Sequence, residues 1–346
     1  MMFQSLYTIF RTRSLAAALL AVAASPLGML AQQPNLLVLN KIKSQANLVG
    51  NLAFVDLASG NVIARVPVGR EPHEVAASPD DKYAVVSNTG SYTQPGNTLS
   101  VIDIAAQKEI HRVDLGPLLN PHGIVAHDGL FFFTAEGARA IAAYDPATNR
   151  LSWIMGTGQD HTHLLVFSKD GRTMVTTNRG SDTLSLFELT DTDPIAPYAW
   201  KETIIPVCRG PEGIDLSPDG KQVWIGCRTA NEVGIVDIAQ KKLIDTFPTH
   251  TKALARVRFL PDGKRILVTD LHGGEAIFFD AATHAELKRL KMGTGCEGIL
   301  LVPGGKKALI GVTNDNNVAE VDLDTMTITR RISTGDGPDG MAWIGK

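Results

Sequence analysis

Pro211-Glu-Gly-Ile-Asp-Leu-Ser-Pro-Asp-Gly220, followed by Gln222-Val-Trp-Ile-Gly-Cys227, decides the fold. It reads as a short apolar strand, a tight turn and a second apolar strand. In the turn, proline presets φ at the second position and glycine accepts positive φ. The same arrangement recurs at Pro72-His-Glu-Val-Ala-Ala-Ser-Pro-Asp-Asp81 and Leu254-Ala-Arg-Val-Arg-Phe-Leu-Pro-Asp-Gly263. Weaker copies start at Pro121, Thr162 and Cys296, and a truncated one, Pro338-Asp-Gly-Met-Ala-Trp-Ile344, closes the chain.

The first buried aliphatic of each copy serves as an anchor: Val75, Ile124, Leu165, Ile214, Val257, Ile299 and Met341. Successive anchors are 49, 41, 49, 43, 42 and 42 residues apart. That period fits four strands per unit and the blades of a β-propeller. Helical solenoids of similar period are excluded, because the apolar segments are short, β-branched and punctuated by Gly, Pro, Asn and Asp. In the first unit the strands, from the hub outward, are expected at Val75–Ser78, Tyr83–Asn88, Leu99–Asp103 and Glu109–Leu115. The closing copy has only an innermost strand. The N-terminal stretch supplies the rest, with Leu36–Asn40, Leu52–Asp56 and Val62–Val68. Six complete units plus this composite predict an all-β, seven-bladed propeller of four-stranded antiparallel blades, closed by N-terminal strands pairing with the C-terminal strand. Such closure removes exposed sheet edges.

Tyr83-Ala-Val-Val-Ser-Asn88 with Asn97-Thr-Leu-Ser-Val-Ile-Asp103 resembles the YVTN-type repeat of bacterial exported propellers. Met174-Val-Thr-Thr-Asn178 with Asp182-Thr-Leu-Ser-Leu-Phe187, and Val312-Thr-Asn314 with Asn317-Val-Ala-Glu-Val-Asp322, carry the same resemblance. It extends over residues 35–346 and implies the fold. It does not choose a function, since related propellers include lactonases, lyases, metal-site reductase domains and plain binding proteins.

The N-terminus reads as an export signal over residues 1–31, ahead of a single propeller domain over 32–346. Arg11 and Arg13 precede the apolar run Leu15–Ala24, and small residues follow up to Ala31. The run is short for a membrane span, so no span is expected after signal removal. An uncleaved anchor is the alternative. The expected location is periplasmic or secreted. Of the three cysteines, Cys208 and Cys227 are the favoured disulfide pair, leaving Cys296 as a buried thiol or soft metal ligand. A net charge of -3, no basic stripe and 6% aromatic residues argue against nucleic acid. A monomer is expected.

An Asp ends the third strand in nearly every unit, as Asp56, Asp103, Asp145, Asp237, Asp280 and Asp322. Such repetition marks turn chemistry. Asp80, Asp170, Asp219 and Asp262 play the same part in the first turns, and Trp153, Trp224 and Trp343 suit packing between blades.

The hub differs, because its residue types vary. Two positions before each anchor stand His73, His122, His163, Glu212, Ala255, Glu297 and Asp339. The innermost strands line the central channel, so these form a ring near one mouth. The second strands end at the same mouth and supply Asn40, Asn88, Glu136, Asn178 with Arg179, Arg228, Asp270 and Asn314, with His272 nearby. Three histidines and Glu212 suit one divalent metal ion. The other mouth residues would contact a ligand, and Arg179 or Arg228 would clamp a carboxylate. The same histidines also suit acid–base work, and they equally suit capping of strands or holding of channel water. His161, two residues before His163, is a weaker candidate.

Two long loops, Lys41–Gly50 and Thr89–Gly96, leave this face and would wall the hub, with Tyr92 as a contact. The loop Thr190–Trp200 leaves the opposite face. No nucleotide, haem or nucleophile-elbow motif is present in the sequence. Three functions stay open: an exported propeller binding a small molecule, metal ion or protein at the hub; a metal-assisted lyase or lactonase acting on a carboxylate-bearing substrate; and a structural or protein-interaction propeller of the envelope.

Overall fold

A computed structural model of the chain describes Met1 and residues 33–41, 49–91, 93–190 and 199–345. The segment read as an export signal, Tyr92, and most of the loops 41–50 and 190–200 lie outside the described residues. The described residues form seven four-stranded antiparallel sheets, one per expected blade. In the closing blade Pro338–Trp343 is innermost and pairs with Leu36–Asn40, which is followed by Val49–Asp56 and Asn61–Arg70. Both ends of the domain therefore share one blade.

Strand bounds differ from expectation where backbone pairing outlasts the apolar pattern. The first complete blade consists of Pro72–Ala77, Tyr83–Gly90, Pro95–Asp103 and Lys108–Asp114. Its second and third strands stay paired out to Gly90 and Pro95. The segment expected as a long loop over 89–96 is thus mostly a hairpin rising from the hub face. A strand also begins at Val49, which shortens the 41–50 loop.

Middle strands are buried almost throughout, whereas the outer strand Arg150–Gly156 alternates exposed and half-buried residues. Blades pack face to face through these layers. Leu37, Leu39 and Phe54 of the closing blade meet Val75 and Val86 of the next. Trp224 sets its ring 5.0 Å from Phe259 of the following blade. Trp153 and Trp343 lie against apolar clusters shared with neighbouring blades.

The repeated aspartates act in turns. Asp103 accepts the amide of Ala106 at 2.8 Å, Asp237 that of Gln240 at 2.7 Å and Asp322 that of Thr325 at 2.7 Å. In the first turns Asp219 accepts from Ser217 Oγ at 2.6 Å and from the Lys221 amide at 3.1 Å. These bonds favour the ionised form, and the Asp219, Asp280 and Asp322 carboxyls sit below the usual range. Cys208 and Cys227 form a disulfide with Cα atoms 5.9 Å apart, and Cys296 is a buried free thiol.

Innermost strands crowd one another at the axis. The position after each hub residue is glycine in four blades. A Cβ on Gly298 would stand 2.3 Å from the Asp339 carbonyl oxygen, and one on Gly213 would stand 2.7 Å from Arg256 Cα. Glu74, Leu164 and Arg256 occupy this position in the other three blades.

Candidate functional site at the hub

A cavity of about 630 Å³ opens on the face where the second strands end. Its lining includes His73, His122, His163, Glu212 and Glu297 from the expected ring, and Glu136, Arg179 and Arg228 from the expected rim. The histidines come from the innermost strands of three consecutive blades, Pro72–Ala77, Pro121–His127 and Thr162–Phe167. Their rings fan around the wall, with centroids 4.8 Å apart for His73 and His122 and 4.1 Å apart for His122 and His163.

Burial lowers the His122 pKa well below the ordinary value and that of His163 below it, so both imidazoles are neutral at pH 7. Glu136 is also buried, which opposes its charge. Hydrogen bonds from His161 and His163 outweigh that cost and hold it well below the usual range. His163 Nδ1 lies 2.5 Å from Glu136 Oε1, and the ionised carboxylate requires the nitrogen to donate. That tautomer leaves the Nε2 lone pair free. Among the described residues His163 Nε2 and His122 Nδ1 have no hydrogen-bond partner, although both are buried. His73 repeats the arrangement more loosely, with Nδ1 3.4 Å from Asp339 Oδ2. Ligand atoms of His122, Glu136 and His163 all lie within 4.8 Å of one another. Imidazoles with bare lone pairs, oriented from behind by carboxylates, are the donor set of a transition-metal site.

Glu212, expected beside the histidines as a ligand, stands among guanidinium groups instead. Arg228 Nη1 donates to both of its oxygens, at 3.0 and 2.8 Å, and Arg179 Nη1 donates at 3.3 Å. The carboxylate nearest the imidazoles is Glu136. It sits on a one-turn helix, Glu136–Ala138, that follows a second strand.

The structure sets several other expected residues away from the cavity wall. Asn88 turns into its blade, accepting the Gly69 amide and donating to Thr98 and Ser100. Asn178 does the same with Thr162, Thr183 and Ser185. Asp270 accepts the amides of Lys252, Ala253 and Gly273. Asn40 donates to Asn51 and to the Thr334 carbonyl. His272 and Asn314 are exposed. Asp339 is fully buried behind the wall, held well below the usual range against burial by Lys41 and His73.

Besides Glu71, which lines the cavity, three charged residues at the hub escaped the sequence reading. Lys41 lies 2.6 Å from Glu297 and 2.7 Å from Asp339, which keep it charged despite burial. Arg256, at the floor, donates to Glu74 of a blade across the channel at 2.6 Å and lies 3.9 Å from Glu212. Arg256 lines both this cavity and a lower one of about 430 Å³, which Glu74 lines as well. The signal for this pair was present in the sequence: Glu74 and Arg256 bring opposite charges to a position that is glycine in four blades.

In comparisons with known proteins, the YNCE-like beta-propeller family matches residues 91–249, under half of the chain. No curated protein matches the chain by sequence. Solved structures match it throughout the propeller. A periplasmic gluconolactonase of Pseudomonas aeruginosa is 17% identical with a TM-score of 0.71, over 90% of this chain and 99% of that one. A Bacteroides uniformis protein provisionally assigned as a 6-phosphogluconolactonase is 15% identical with a TM-score of 0.71, over 90% and 100%. Hydrazine synthase of Kuenenia stuttgartiensis is 18% identical with a TM-score of 0.67, over 80% and 91%. At these identities the likeness is one of fold. Among the described residues no helix is long and apolar enough to cross a membrane.

Proposed function

We propose that this chain is an exported propeller of the YVTN-repeat type that binds one divalent transition-metal ion at its hub. The observation that carries the reading is the pair of buried, unpartnered imidazole nitrogens, His122 Nδ1 and His163 Nε2, beside Glu136. A buried polar atom without a partner is costly, and a metal ion would supply the missing partner for both. His73 completes a three-imidazole set, while Glu136 and Asp339 orient the rings from behind. Charge agrees. The hub holds Lys41, Arg179, Arg228 and Arg256 against Glu71, Glu74, Glu136, Glu212, Glu297 and Asp339. Neutral imidazoles leave this set two charges negative. The disulfide supports export, since such bonds persist in oxidising compartments.

The test is elemental analysis of the mature protein purified without chelator. About one zinc, manganese, iron or copper ion per chain is expected, and loss of it in His122→Ala. Glu136→Gln should weaken metal binding roughly 10–100-fold. A metal-free protein that takes up none of these ions on titration overturns the reading.

A second reading, lactone hydrolysis, is suggested by the names of the Pseudomonas and Bacteroides proteins and by the open cavity beside the imidazoles. There a metal-bound water would be the nucleophile. Turnover of gluconolactone by metal-loaded protein, lost in His122→Ala, would favour it over simple binding.

A further inference from the structure

The electrostatics of the cavity are divided. One wall carries Glu71, two residues before His73, Glu136 among neutral imidazoles, and Lys41 against the two carboxylates of Glu297 and Asp339. That wall is negative. The other carries Arg179, Arg228 and Arg256 against the carboxylates of Glu212 and Glu74. That wall is positive by one charge.

Glu212 fixes Arg228 in a particular way. Both bonds leave from Nη1, so one edge of the guanidinium is committed. Among the described residues Nε and Nη2 of Arg228 donate to no protein group, and the side chain is 27% exposed at the cavity. An arginine held by one nitrogen, with its remaining donors in a fixed fork, is pre-organised for a planar oxyanion.

The geometry points to an anion subsite at Arg228, beside the metal, that takes a small carboxylate whose other end reaches the metal ion. This rests on the metal reading above for the second contact only. The one-charge surplus favours a carboxylate over a phosphate dianion, which would set excess negative charge against Glu212. A dicarboxylate would satisfy both walls, one group accepting from Arg228 and the other entering the metal's coordination sphere.

The probe is malonate, titrated calorimetrically into zinc-loaded protein, with malonamide as the uncharged counterpart. Wild-type protein should bind malonate at least about tenfold more tightly than malonamide, consistent with a charge-assisted pair. Arg228→Met should lose at least about tenfold in malonate affinity while keeping its zinc. Glu212 stays paired to Arg179 in that variant, so folding is expected to persist. Arg228→Lys, which keeps the charge but not the fork, should fall between the two and serves if the methionine variant does not fold. Equal malonate affinity in Arg228→Met, tight binding of malonamide, or phosphate binding more tightly than malonate each overturns the subsite. If no zinc loads, the metal reading fails by itself. Arg228-dependent malonate binding to the metal-free protein would then still support the subsite, and its absence would overturn it.

Discussion

Burial of His122 and His163 makes them a source of pH dependence. Both have folded-state pKa values below that of an unfolded histidine. The unfolded chain therefore takes up protons first as pH falls, and stability must drop with it. For the metal-free protein the melting temperature is expected to decrease from about pH 7.5 to 5.5, beginning near the unfolded histidine value of about 6.5. A His122→Asn/His163→Asn variant should show a flatter profile over that window, and an unchanged slope would assign the effect elsewhere. At this scale the sequence was partly legible. The hub histidines stood out because residue type varies there while the rest of the repeat stays constant. Asn178 ends its strand as expected and Asn88 stands two residues before the end of its own, but both side chains turn inward to satisfy polar groups around them. Position in a repeat does not determine that direction. Arg228 was legible as a rim residue, while its fixing by Glu212 depends on a bond between neighbouring strands.

Blade elements were more legible than their ends. Turn residues and apolar runs marked the strands of the first and closing blades and the innermost strand of each other blade, but the hairpin at Gly90 and Pro95 extends by backbone pairing, which polar side chains do not reveal. The disulfide joins two such elements. Cys208 precedes the strand Pro211–Leu216, and Cys227 ends its partner Gln222–Cys227, directly before Arg228. The bond thus fastens the two innermost strands of the blade that carries Glu212. It spans 19 residues in sequence. Closing a loop of that order constrains the unfolded chain by about 3 kcal/mol. A Cys208→Ser/Cys227→Ser variant is expected to lose stability of that order in urea denaturation. A loss below about 1 kcal/mol would show that blade packing alone sets the strand pair.

For the whole molecule, closure was legible because the last repeat stops after one strand and the first begins without one. The structure adds a role for it at the hub. Pro338–Trp343 brings Asp339 against Lys41, from the end of the adjacent strand, and against His73. A chain ending at residue 336 loses both the innermost strand of a blade and the carboxylate behind the histidine wall. It is expected to lose its cooperative thermal transition. Retention of a wild-type melting temperature would show that the other six blades hold the ring unaided.

The Glu74–Arg256 pair has a consequence for traffic through the hub. By spanning the axis it sets a charged bridge across the channel, between the upper cavity and the lower one. His122 and His163 are more deeply buried than Arg228. Under the metal and anion proposals the ion would sit deeper in the cavity and the anion nearer its mouth, so a bound anion would slow loss of the ion.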